Sequence, residues 1–430
     1  MPEKTCGFAG RLHISLSRSL LGLMVFSNIG PLCAQVPTWT QLATAGSLPR
    51  ARAAHSAILD AATNQMIVFG GSGVPDFSDV WSLATSGTPQ WTSVTPTGST
   101  PPGRAGHSAV YDAANSRMTI FGGGLGQSSP CANDVWVLSN ANRVNGTPTW
   151  TQLSPSGSAP VPRIFHTAVY DPASNRMIVF GGNNCFSAGA QFYNDVWILT
   201  NANGLGGTPS WIQLSPSGGP PGARENLTAV YDTGSNRMIV FGGAGYTSLF
   251  NDVWVLSNAN GLGGTPTWTQ LSPSGTLISV RSGHTGVYDS STNRLTIFGG
   301  NNDTTFFNDV WVLSNANGLG GSPAWTQLSP AGTLPTARSE HSAVYDAGSN
   351  RMIVFGGGGY SGSTYFNLND TWVLSDANGG GVVGATPTIS SLSPSSATAG
   401  GVGFTLTVNG SGFAAGAVCS GADRRCRRCS

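Results

Sequence analysis

The chain predicts an all-β protein of six like units, each folding into one four-stranded antiparallel sheet, with the sheets closed into a ring. Three observations predict it. The doublet Gly-Gly follows an apolar run six times, at Gly70-Gly71, Gly122-Gly123, Gly181-Gly182, Gly242-Gly243, Gly299-Gly300 and Gly356-Gly357. All 12 tryptophans are accounted for as two per unit. The 430 residues include 60 Gly and 26 Pro and only 9% charged side chains, a composition that disfavours long amphipathic helices.

The fifth unit shows each element in order. The first strand reads His284-Thr285-Gly286-Val287-Tyr288-Asp289, and the second Arg294-Leu295-Thr296-Ile297-Phe298 before its Gly-Gly. The third reads Asp309-Val310-Trp311-Val312-Leu313, and the fourth Trp325-Thr326-Gln327-Leu328. All four are of strand length and rich in β-branched or aromatic residues. Asp289 to Asn293 and Asn315 to Gly321 supply turn-tolerant residues between them, so neighbouring strands pair as hairpins. The second strand is apolar at nearly every position, as in Met177-Ile178-Val179-Phe180, which requires cover on both faces of its sheet.

The tryptophans also predict how the ring closes. Third-strand copies are Trp81, Trp136, Trp197, Trp254, Trp311 and Trp372, and fourth-strand copies are Trp39, Trp91, Trp150, Trp211, Trp268 and Trp325. The sixth unit ends at Trp372-Val373-Leu374 without a fourth strand, whereas Trp39-Thr40-Gln41-Leu42 precedes any first strand. The two halves therefore complete one sheet, tying the chain ends together and removing open edges.

Gly-Gly closing the second strand, an aromatic in the third and a Trp opening the fourth, repeated about every 50 to 60 residues, resemble the kelch motif. The resemblance covers residues 36–376 and implies a six-bladed β-propeller like the central domain of galactose oxidase. A Gly-rich linker at 377–386 follows, and residues 387–418, from Pro387 to beyond Phe413, resemble the start of an IPT/TIG immunoglobulin-like domain, read as a short truncated remnant too small for its own core. The tail at 419–430 departs from that family, and its Cys426/Cys429 pair lacks the second half that a metal site would need.

At the other end, Lys4, Arg11 and Arg18 precede the apolar run Leu20 to Phe26 and the breaker Gly30-Pro31, a secretory signal layout at 1–34 with cleavage expected near Ala34-Gln35. The run is shorter than the roughly 20 residues of a spanning helix, so no transmembrane segment is expected. The chain is thus read as secreted or displayed at the cell surface. A net charge of +1, with Lys4 the one lysine, argues against a nucleic-acid partner.

Comparison of the six units separates scaffold from novelty. Arg recurs three residues before the His position, at Arg52, Arg104, Arg163, Arg224, Arg281 and Arg338, and Asp recurs before the third strand, at Asp79, Asp134, Asp195, Asp252, Asp309 and Asp370. Alternating strand direction brings both sets to one rim, either as internal Arg–carboxylate pairs or as a guanidinium ring awaiting an anion. The His position holds His55, His107, His166, His284 and His341 but Leu227 in the fourth unit, which marks it as a packing position rather than a metal ligand. Asp112 and Asp171 are expected to cap their hairpin turns. The loops between strands two and three vary most and contribute Phe186, Tyr246, Asp303, Phe306, Tyr360 and Tyr365 as candidate ligand contacts. Cys131 and Cys185 lie in such loops of adjacent units, where either a disulfide or two free thiols fits.

The favoured reading is a binding or interaction module for a glycan or protein, using the rim formed by the 2–3 and 4–1 loops, without catalysis, cofactor or metal. Two readings stay open beside it: a galactose-oxidase-like copper enzyme and a non-binding structural surface protein. The copper reading requires two Tyr, two His and a Cys beside one Tyr, a constellation not found in these residues. Fold by itself names no activity, and the ligand and oligomeric state are not legible here.

Overall fold

The computed structural model describes residues 36–126, 130–185, 189, 191–361 and 364–380, together with the strands Arg11–Leu16, Met24–Val25, Thr388–Ser393, Ser396–Ala397 and Phe404–Ser411. The chain divides into two compact units, one of them Thr38–Asn378.

Within Thr38–Asn378 six antiparallel sheets form the blades of a propeller. Their innermost strands are Ser56–Asp60, Ser108–Asp112, Thr167–Asp171, Thr228–Asp232, Thr285–Asp289 and Ser342–Asp346. Each neighbours the next around the axis, and the sixth neighbours the first, so the circle is closed. Closure is made as the tryptophan pattern predicts. Thr38–Gln41 pairs antiparallel with Thr371–Ser375, placing Trp39 opposite Leu374 and Gln41 opposite Trp372.

Blades two, five and six gain a fifth short strand, Thr97–Gly98, Ser274–Gly275 or Ala331–Gly332, which runs parallel to the outermost strand. The chain leaving one blade passes along the outer edge of the next on its way inward, so the connection itself covers part of that edge. In the other three blades the same passage leaves a single bridge, such as Ala45 with Gln90.

The apolar second strands explain the packing. Met177, Ile178, Val179 and Phe180 have no exposed surface, and they face the neighbouring blades on both sides. Six apolar clusters result, each lying between two blades rather than inside one. The outermost-strand Trp of each blade packs on the Phe that ends the preceding blade's second strand, with ring centroids 4.6–5.1 Å apart.

The other unit holds an antiparallel sheet in which Phe404–Ser411 is flanked by Thr388–Ser393 and Arg11–Leu16, and Met24–Val25 pairs with Ser396–Ala397. Arg11–Leu16 and Met24–Val25 fall in the segment read as a signal. The expected cleavage point at Ala34-Gln35 and the Cys426/Cys429 tail lie outside the described residues.

Candidate functional site at the axial rim

The starts of the first strands, the Gly-Gly ends of the second and the starts of the third meet on one rim. Every recurrent Arg there is fully buried and binds the Asp of its own blade in the two-toothed manner, as Arg281 does to Asp309 at 2.7 and 2.9 Å. Its Nη1 also donates to the first Gly carbonyl, Gly299 at 2.9 Å, and Nε donates to the carbonyl two residues back. The Asp accepts a further bond from the third-strand Trp indole, Trp311 at 2.7 Å. Burial opposes ionisation of Asp79, Asp134, Asp195 and Asp370, but the Arg hydrogen bonds and charge outweigh it and hold these carboxyls below their ordinary range. None of these six guanidiniums is left to receive an anion, so the six pairs pin strands and the anion-ring reading of them is corrected.

The second Gly of each doublet is required by a close approach. Gly300, at φ +90°, donates its N–H to the next blade's Arg338 carbonyl at 2.8 Å. A Cβ there would lie 2.7 Å from the Ser282 carbonyl oxygen and 2.8 Å from His284 Cβ. The doublet thus stitches each blade to its neighbour.

The histidines lie inward of these stitches. Nε2 of His55, His107 and His166 bonds the serine hydroxyl of the preceding blade at 2.8 Å, and His341 bonds Thr285 Oγ1 at 2.7 Å. His284 lacks this contact because Thr228 Oγ1 donates to the His284 carbonyl instead, at 3.2 Å. Leu227 fills the same place in blade four and is likewise buried. Burial, reinforced by the Arg three residues before each, pushes His55, His166 and His284 down to about 3 and His107 and His341 well below the ordinary value. They are neutral packing and interlock groups, and no set of three or more His, Cys, Asp or Glu among the described residues is placed to hold a metal.

Immediately before the His position stand Ala54, Gly106, Phe165, Asn226, Gly283 and Glu340, and with the histidines and Leu227 they line an axial cavity. All six adopt the left-handed conformation, with φ between 49° and 63°. Each donates its N–H to the carbonyl of its counterpart in the preceding blade at 2.7–2.9 Å, and Ala54 closes the circle by donating to Glu340. The result is a continuous hydrogen-bonded collar around the axis. Phe165 and Glu340 accept a conformation that glycine adopts without penalty, at a cost on the order of 1–2 kcal/mol each.

This collar contains residues that sequence comparison missed. The chain's three glutamates are Glu3, Glu225 and Glu340; Glu340 is a collar residue and Glu225 directly precedes the collar residue Asn226. Burial, and then the charge of Glu340, lifts Glu225 to about 7, and burial also raises Glu340. Glu225 Oε2 is buried without a hydrogen-bond partner. A signal was available: between the recurrent Arg and His the two residues read Ala-Ala, Ala-Gly, Ile-Phe, Glu-Asn, Ser-Gly and Ser-Glu, as variable as any loop.

The loop candidates surround the same rim in two groups. Phe306, Tyr360 and Tyr365 stack edge to face at 5.2 and 5.4 Å across blades five and six. Tyr246 contacts Phe192 at 6.3 Å across blades three and four, and is 77% exposed. Asp303 is exposed at its loop tip, and Phe186 lies outside the described residues. Burial, with the charge of Glu340, pushes Tyr365 up to about 12. The Sγ atoms of Cys131 and Cys185 are bonded, with Cα atoms 5.6 Å apart, joining blades two and three beside this face.

Comparison with known proteins agrees with the architecture. The family model of the KLHDC2/KLHL20/DRC7 Kelch-repeats domain matches residues 32–145, 113–262 and 263–398, and that of the IPT/TIG domain matches 387–427. Human Host cell factor 2 is 32% identical over 266 residues, covering 59% of this chain and 31% of that protein. Rat Host cell factor 1 is 29% identical over 280 residues, 61% of this chain and 13% of that protein. Rice Adagio-like protein 3 is 26% identical over 354 residues, 80% of this chain and 50% of that protein. The chain therefore spans half or less of the length of these relatives.

Proposed function

We propose that this chain, which belongs to the kelch-repeat family, is an interaction module that binds a protein or glycan ligand on the axial rim. The observation that carries the reading is where its non-repeating residues fall. The scaffold residues recur blade after blade and are consumed by internal bonds, whereas Tyr246, Tyr360 and Tyr365 are exposed on one rim, around a cavity lined by the variable collar. Exposed aromatics with a polar tip, on loops held by a rigid ring, suit sugar or peptide contact. The bond between Cys131 and Cys185 and the signal layout at 1–34 together support an exported, oxidising location.

A glycan array and a peptide array probed with the chain test the reading. Binding lost on Tyr246→Ala or Tyr360→Ala, with the melting temperature unchanged, is the expected result. Copper-dependent release of peroxide, or binding that survives both substitutions, would overturn it. An exported protein whose mature N-terminus falls near Gln35 is the corresponding outcome for location.

A further inference from the structure

The two glutamates at the collar are not explained by the fold. The six recurrent Asp of this rim are each paired with an arginine of their own blade. Neither Glu225 nor Glu340 takes part in any ion pair of the described residues; the backbone of Glu340 bonds within the collar and that of Glu225 exchanges bonds with Ala244, so neither side chain is spent there. The remaining arginines of the second strands are engaged at the opposite end of the blades, as Arg176 and Arg237 are with the carbonyls of Asn260 and Asn317. The adjacent histidines are neutral and offer no compensating charge.

Leaving a carboxylate oxygen buried and unpartnered costs free energy, and Glu225 Oε2 is such an atom. Glu340 lines the axial cavity and in addition holds a left-handed backbone where blades two and five use Gly106 and Gly283. No other blade places an ionisable side chain at either position: the first is held by Ala53, Ala105, Ile164, Ser282 and Ser339, the second by Ala54, Gly106, Phe165, Asn226 and Gly283. Glu340 lines that cavity and its Cγ would lie 3.5 Å from a Cβ on Gly283, while Glu225 directly precedes Asn226, which lines the cavity too, and is near enough for the charge of Glu340 to act on it. Beside Glu340 stands an aromatic wall. Tyr365 overlies Gly358, whose backbone exchanges hydrogen bonds with Ser339, the residue before Glu340.

Resting on the interaction reading above, we propose that the axial mouth is a subsite for one basic side chain, a lysine or arginine offered by an extended segment of a protein partner. The carboxylates of Glu225 and Glu340 serve as its counter-ions and Tyr365 as its aromatic wall. The cation supplies what the fold withholds: a donor for the buried oxygen and a charge that lets both glutamates ionise together.

The test is an array of short peptides with varied flanks around one central arginine, lysine, citrulline or glutamate, probed with the full chain at low salt. Arginine or lysine peptides should bind about tenfold more tightly than their citrulline twins, a difference of roughly 1.4 kcal/mol. The preference should vanish in the Glu225→Gln, Glu340→Gln double variant, whose melting temperature at pH 8 should not fall. Equal binding of citrulline peptides, or a preference that survives the double variant, overturns the proposal. If peptides bind regardless of charge and lose binding on Tyr360→Ala, the interaction reading stands and the cationic subsite falls. If sugars bind and no peptide does, a protein occupant is wrong while the rim remains a binding face. If neither array shows binding, both fall.

Discussion

At the scale of single residues, the buried histidines are an acid liability. All five are held neutral in the folded chain, three of them down to about 3, whereas in the unfolded chain each titrates near its ordinary value. Below about pH 6.5 the unfolded state therefore binds more protons, and stability falls as pH drops toward 3. His284 and His166 should separate two contributions. His284 has no hydroxyl partner, so His284→Leu, which copies the Leu227 solution of blade four, should change neutral-pH stability little and flatten the acid slope by one proton. His166→Leu strands Ser108 Oγ and should cost about 1–2 kcal/mol at pH 7 while flattening the slope equally. Urea unfolding at pH 7 and pH 5 measures both. That Leu could replace His was readable from the repeats; that the histidines interlock successive blades was not, because the partner hydroxyl lies in another blade.

At the scale of the strand, the Arg–Asp–Trp pin decides how firmly each blade's rim is held. A buried guanidinium left without its carboxylate is expensive, by about 3–5 kcal/mol where both partners are secluded from water. The six pins are not equally secluded: the Asp79 side chain is 37% exposed and that of Asp370 is 20%. Asp370→Asn should therefore destabilise the protein more than Asp79→Asn, and thermal or urea denaturation of the two variants decides it. The reverse order would mean that water access does not set the cost. Both partners of each pin could be named from recurrence, since every blade carries both. Glu225 and Glu340 could not, because a residue that occurs in one blade has no internal repeat to flag it and gains meaning only from what packing sets around it.

At the scale of the whole molecule, the ring carries an uneven seam. At the rim opposite the collar, Asn142, Asn203, Asn260, Asn317 and Asn378 each donate to the Asp ending the preceding blade's innermost strand at 2.6–2.7 Å. Asp112 and Asp171 thus cap their turns, as with Ala114 at 3.1 Å, and also latch neighbouring blades. Blade one has only Ser86-Gly87 at the matching turn, so Asp346 of blade six turns to Arg351 of its own blade at 2.9 Å. The seam between blades six and one therefore lacks the Asn–Asp latch of the other five. Hydrogen exchange should open the Asp346 end of its strand before the matching ends in blades three to five. Uniform protection around the ring would contradict this.

The order of strands, the number of blades and the closing pair of Trp39 and Trp372 segments are properties of the sequence itself. They depend on local turn chemistry and apolar period, which recur six times and so confirm one another. Which polar groups remain unspent is different, since a hydrogen bond is satisfied or orphaned only by what three-dimensional packing sets beside it. Tertiary structure alone decided that the recurrent arginines are consumed, that six left-handed residues join into a collar, and that Glu340 faces the axial cavity with a buried oxygen of Glu225 left without a hydrogen-bond partner.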